Sequence, residues 1–384
     1  MAQNITTTPQ PVSSTRNAEL SDLAELLKEQ HSRKVDMVAP ASALTAVQGN
    51  LLVQGVDPEI STDGVTLRSG LYRPTPVADE GISQRLNIPI KYLRRMRAEM
   101  VDLYDLNVEG WLKQEPERQF LLRTFRGEGE KPGVLRAFLS DRYRRIDNFD
   151  VLTAALKGIQ DAAHSVKISG CDLTDRRMMV RVESEDIKVH APELLKGYRS
   201  PFTGQTGDEL PIVSAGFVIA NSEVGAGAFT ITPRIVVEVC RNGMTMAEDV
   251  VQNIHLGGRL ESGVIRWSED TENKNLELIT ARTRDAVATF MDRAYVETKL
   301  RAIEKDAGRE IKDVTKTIEV VGKRLKFTDS VRESVLGHFI QGGQTTAGGV
   351  MQAITATAQT LTDADTAYEL EAQAIPAMAM AARL

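Results

Sequence analysis

Thirteen consecutive residues, Arg136-Ala137-Phe138-Leu139-Ser140-Asp141-Arg142-Tyr143-Arg144-Arg145-Ile146-Asp147-Asn148, carry four arginines and a tyrosine. Residues 135–139 read as a short strand and Ser140-Asp141 as a turn. Arg142-Tyr143-Arg144-Arg145 is a basic run with an aromatic inside it. Asp147 or Asn148 can cap the next helix, because a short side-chain oxygen satisfies free N–H groups of a first turn. Guanidinium groups gathered at a strand-to-helix junction suit phosphate contact, with an aromatic available to stack on a base. They equally suit a solvated loop whose arginines are ion-paired. On the first reading the contacts to expect are Arg123, Arg126, Arg142, Arg144 and Arg145, with Tyr143 stacking. Phe138, alternating with Arg136 along the strand, is expected in the core.

Two further polar stretches end apolar runs: Asn221-Ser222-Glu223-Val224-Gly225 and Cys240-Arg241-Asn242-Gly243-Met244. Their Asn and Gly are what tight turns need; the alternative is a polar rim on a sheet edge with Glu223 and Arg241 as charged members. Cys240 beside Arg241 is either a thiol of lowered pKa or a buried strand-end residue. No phosphate loop, zinc-protease motif or nucleophile elbow is present. The five histidines (His31, His164, His190, His255, His338) never pair at helical metal spacing. No cofactor and no metal is expected, and no catalytic residue stands out. The enzymatic alternative is a metal-dependent nuclease using Asp141, Asp147 and Glu223.

These stretches need a frame. Hydrophobic residues make up 42% of the 384, enough for a substantial core, while two distant cysteines, Cys171 and Cys240, give neither a disulfide framework nor a metal pair. No apolar run approaches the ~18 residues of a membrane span. A soluble cytoplasmic protein with no membrane partner is expected. Net charge is −6. Between Arg85 and Arg145, 14 basic residues face 9 acidic ones, a balance of +5, which leaves 33 against 44, or −11, elsewhere. A local basic region on an acidic chain can still attract a polyanion.

Residues 1–16 are polar and expected to be disordered and dispensable for the fold. Asn17 to Gln30 reads as an amphipathic helix, and 34–70 as short strands with an Asp63-Gly64 hairpin signal. Between Thr75 and Met100 helical pieces are punctuated by Pro89; Leu86-Asn87-Ile88-Pro89 is a possible helix-turn-helix corner. Hairpins follow at 119–126 with 134–139 and at 166–171 with 178–183, then long strands at 212–220 and 227–240. One long helix is expected over 275–306, another from Ser330 with Glu333 completing a capping box, and more over 348–360 and 363–374. The fold class is therefore α+β: a largely antiparallel sheet core with helices on one face, then a helical carboxyl-terminal subdomain. The divisions are 1–33, 34–272 and 273–384. The apolar stripe of the first helix and the Ala- and Met-rich end, Ala374 to Leu384, suggest a homo-oligomer.

The three motifs in this order, with Leu86-Asn87-Ile88-Pro89, Tyr92 and Gly342-Gly343-Gln344-Thr345-Thr346-Ala347-Gly348-Gly349, resemble the phage/plasmid-like protein family, domain of unknown function 932, from about Lys34 to Ala374. The resemblance implies a setting in phages, prophages or conjugative plasmids near DNA metabolism, and no catalytic residues. A strand-rich core with a basic junction is also similar, at the level of fold alone, to phage single-strand annealing proteins. The expectation is a phage- or plasmid-borne protein that binds DNA, single strands above all, and promotes annealing or recombination. The alternatives are the nuclease above or a phage structural or assembly protein.

Overall fold

Among the described residues, the period-2 runs and Pro- and Gly-marked turns build two large sheets and a separate two-stranded one. The computed structural model describes residues 14–61, 64–127, 129, 131–143, 146–253 and 269–384. The chain opens with β1 (Thr15–Ala18), α1 (Leu20–Arg33), β2 (Lys34–Pro40), β3 (Leu44–Val47), β4 (Asn50–Val53), β5 (Glu59–Ser61), β6 (Gly64–Thr66) and β7 (Gly70–Pro74). Three helices follow, α2 (Pro76–Leu86), α3 (Ile90–Glu99) and α4 (Val101–Gln114), then β8 (Gln119–Phe125), β9 (Gly133–Ser140) and α5 (Asn148–Asp161). One six-stranded sheet has the order β2-β8-β9-β7-β4-β3. It is antiparallel except where β7 runs parallel to β9. The α2–α4 excursion makes that parallel crossover, since parallel neighbours need a long connection. Thr75 caps α2 by accepting from the Ala78 N–H, and Asn87 ends it in the left-handed region at φ 55°.

The second sheet is built from β10 (Val166–Leu173), β11 (Met178–His190), β12 (Ile212–Asn221), β13 (Phe229–Val237), β14 (Asn242–Thr245) and β15 (Val251–Asn253). Its order is β1-β10-β11-β12-β13-β14, with β15 also on β13, and every pairing is antiparallel. The short α6 (Pro192–Leu195) lies between β11 and β12. The carboxyl-terminal helices are α7 (Glu269–Phe290), α8 (Arg293–Ala307), α9 (Val314–Arg324), α10 (Asp329–Gly342), α11 (Ala347–Thr360) and α12 (Ala364–Ala381). They share one core with this sheet, α1 and α5. Leu93, Met96, Tyr104, Val108 and Leu112 of α3 and α4 bury against the six-stranded sheet in a second core. The α+β class is as expected.

Several boundaries differ. Thr15–Ala18 is an edge strand, so order begins inside the stretch expected to be disordered: Asn17 N–H donates to Asp172 at 2.7 Å and Arg16 to the Ala358 carbonyl at 3.0 Å. The expected long helix is two, because Asp292 accepts from the Tyr295 N–H at 2.7 Å and caps a new start. Thr328, not Ser330, caps α10, and α4 and α9 went unforeseen. Asp63 lies outside the described residues, although the strands beside it pair. The two faces expected to drive self-association are covered within the chain: Leu23 and Leu27 of α1, and Ala374, Ala377 and Met378 of α12, are all core.

Candidate functional site: a buried charge junction and an exposed basic helix

The arginine junction is assembled where β8 and β9 meet the turn after β12. Phe120, Leu122, Leu135 and Phe138 face α2–α4, while Leu121, Ala137 and Leu139 pack on Val224. Register changes at this point: Arg123 pairs with Ala137 but Thr124 pairs with Leu135. Arg136 is thus the extra residue of a β-bulge, a device that re-aims a side chain. Phe138 is core, as expected; in a regular strand Arg136, two residues away, would share its face, and the bulge is what turns Arg136 to the Glu223 side.

Arg123, expected to meet a phosphate, has 0% exposure. It donates to Asp36 at 2.9 and 3.2 Å and to the Glu223 carbonyl at 2.6 Å, and it pairs with Asp147, which also holds Lys34. Burial disfavours its charge, but Asp36 and Asp147 outweigh burial and raise its pKa. Burial likewise disfavours the Asp147 carboxylate, and Arg123 and Lys34 outweigh it, holding its pKa well below the usual carboxylate range. Arg136 pairs with Glu223 and lies 4.1 Å from the Phe125 ring centroid. Burial, then the Arg123 charge, lowers its guanidinium pKa to about 9.

The Asn221–Gly225 stretch is a turn, as its Asn and Gly imply, and it also closes the junction. Glu223 accepts the Asn148 N–H at 2.9 Å, placing an anion at the α5 N-terminus. Asp147 holds the cap position without capping, since its carboxylate is engaged elsewhere. Asn221 donates to the Ile146 carbonyl at 3.1 Å and to Asn148 at 2.8 Å. Ser222 donates to the Arg176 carbonyl at 2.6 Å. Beside the Arg136–Glu223 pair a narrow cleft reaches Gln30, Thr75, Asp175 and Arg176; its cavity volume of about 10 Å³ is on the order of one water.

The remaining expected contacts separate. Tyr143 is half-buried and donates to the Ser222 carbonyl at 3.1 Å; burial pushes its pKa up to about 12. Its ring packs against the cluster that holds Leu139 and Val224. Arg142 is exposed, and exposed Arg126 donates to Thr66 at 3.0 Å. Arg144 and Arg145 lie outside the described residues. For the nuclease alternative, Asp147 and Glu223 are each engaged by an arginine and Asp141 is exposed. Among the described residues no group of three His, Cys, Asp or Glu side chains is placed to hold a metal ion. Cys240 is buried, and Arg241 pairs with Glu183 at 3.5 Å and Glu238 at 3.8 Å.

The +5 balance of residues 85–145 therefore overstates the local field. Arg97, Arg123 and Arg136 are met by Asp79, Asp36, Asp147 and Glu223, all from outside that window. What the window does expose is α3. Leu93 and Met96 face inward, leaving Lys91, Tyr92, Arg94 and Arg95 exposed, Tyr92 at 46%. Arg94 is partly committed to Glu80 at 3.2 Å and Arg95 to Glu99 at 2.8 Å. Exposed pairs of this kind are worth about 0–1 kcal/mol and exchange readily for another anion. The signal was present in the sequence as one helical face, apolar at Leu93 and Met96 and basic opposite. No helix among the described residues is long and apolar enough to cross a membrane. No family model matches the chain, and no curated protein or solved structure matches it significantly.

Proposed function

We propose that this chain is a DNA-binding protein of a phage or plasmid that holds single strands along α3, in the service of annealing or recombination. The observation that carries the reading is an exposed tyrosine, Tyr92, among the exposed cations Lys91, Arg94 and Arg95. A single strand needs cations that track phosphates and an aromatic face for a base, the latter worth about 1–3 kcal/mol. Exposed Arg126 and Arg142 add cations that are not buried in the junction. The resemblance to the phage/plasmid-like family supplies the biological setting.

The test is fluorescence anisotropy of a labelled single-stranded oligonucleotide against salt. The wild type is expected to bind at about 50 mM salt. Changing Lys91 and Arg95 together to Ala should flatten the slope of log K against log salt by roughly 0.7 per lost contact. Tyr92→Ala should cost about 1–3 kcal/mol with the slope retained, because stacking releases few ions. Absence of binding by the folded wild type, or variants that bind as the wild type does, would overturn the reading.

A further inference from the structure

Helix α4 buries Tyr104, Val108 and Leu112 and turns the opposite side to solvent. Its outward residues at helical spacing are Asp102, Leu106, Gly110 and Lys113, all exposed. Leu106 is 71% exposed, well beyond what covering its own core requires. One turn on, at Gly110, an added Cβ would meet no atom within 4 Å, so the helix has an open notch there. Met100 and Trp111 extend the apolar surface beside this face, both at least half exposed. A projecting Leu and a notch one turn apart, between an acidic residue near one end and a basic residue near the other, form a self-complementary pattern.

We propose that this face of α4 is the contact surface for a second copy of the chain, the two helices lying antiparallel across a two-fold axis. An axis near position 108 seats each Leu106 in the other copy's Gly110 notch. The same operation brings the Asp102 end of one helix beside the Lys113 end of the other. Lys113 pairs within its own helix with Glu109 at 3.0 Å, an exposed contact it can share or exchange. Antiparallel α4 macrodipoles add to the attraction, and one patch serves both copies, as a two-fold interface requires. The surface is separate from the buried charge junction and uses none of the α3 residues assigned to DNA.

Sedimentation velocity on the full chain without nucleic acid tests this at about 10 µM, enough to populate a dimer of micromolar Kd. The expected species has twice the 42.2 kDa chain mass. Leu106→Lys should give a folded monomer with an unchanged circular dichroism spectrum, because within its own chain the side chain it replaces is exposed. Asp102→Lys and Lys113→Asp should each raise the dimer Kd by about tenfold, and the double exchange should restore it. A monomeric wild type would overturn the proposal, as would a Leu106→Lys variant that still dimerises or single charge variants that dimerise as the wild type does.

Discussion

Arg123 and Arg142 carry the same charge, but only one is available to a ligand. Arg123 is enclosed by Asp36, Asp147 and the Glu223 carbonyl, so removing it leaves buried carboxylates without their partner. The same logic applies to Glu223, which holds both Arg136 and the Asn148 N–H. Glu223→Ala strands the Arg136 guanidinium and the Asn148 N–H in the interior, and should cost about 3–5 kcal/mol by urea unfolding. Glu223→Gln keeps an acceptor for one of them and should cost less; equal costs would show that charge, not acceptor geometry, sets the loss. Asp147 makes a pH prediction. Its folded pKa is depressed, so its stabilisation is fully present above the unfolded carboxylate value of about 4 and is lost as pH falls below it. Acid unfolding curves should lose that part of their slope in Asp147→Asn. An unchanged acid limb would mean that Asp147 titrates as in the unfolded chain.

Elements in this chain are positioned by close approaches that helix propensity opposes. Gly81 lies inside α2, where Ala would normally be preferred. A Cβ there would run into the Phe138 carbonyl of β9, so α2 could not lie as near the sheet. Gly81→Ala should therefore destabilise by about 1–3 kcal/mol, against the sign expected for an exposed helix; a gain in melting temperature would show that α2 shifts freely. Strand β1 gives a second prediction. Chains starting at residue 14 and at residue 19 differ by the Arg16–Ala358 and Asn17–Asp172 hydrogen bonds and the pairing with β10. The shorter chain should melt at least about 1–2 °C lower, the shift corresponding to roughly 1 kcal/mol in a chain longer than about 250 residues. Equal melting temperatures would make β1 an ornament of the sheet edge rather than part of it.

At the scale of the whole molecule, the two large sheets, each with its own helix-covered core, meet through a small apolar cluster around Val224 and through ionic and polar contacts. Arg176 reaches Glu80 of α2, Arg136 of β9 reaches Glu223 after β12, and Arg123 reaches the Glu223 carbonyl. Helix α11 lies in the core shared with the second sheet, with all positions from Ala347 to Ala358 buried. Gln352 sits there with neither its carbonyl nor its amide group hydrogen-bonded to the protein. Burying an amide without partners costs about 1–3 kcal/mol. Gln352→Met, similar in volume and unbranched, should raise the unfolding midpoint by a comparable amount. A lower midpoint would show that the amide contributes more to the fold than the methionine that replaces it.

The α+β class, the strand pairs β8–β9, β10–β11 and β12–β13, and helix α5 were legible because each rests on a period of two or 3.6 residues and a local turn. The inward placement of Phe138 and the turn at Asn221–Gly225 followed from the same short-range chemistry. The functional meaning of the arginines did not. Arg123 meets Asp36 and Arg136 meets Glu223, each partner 87 residues away along the chain, and a charge count over residues 85–145 cannot include carboxylates that the fold imports from outside. The bulge that turns Arg136 into the junction is one extra residue in a register, set by the pairing of two strands and written in neither alone. Composition established that cations were plentiful in this region; only the tertiary structure decided which of them would be enclosed with acids and which, on α3 and at Arg126 and Arg142, would remain in water.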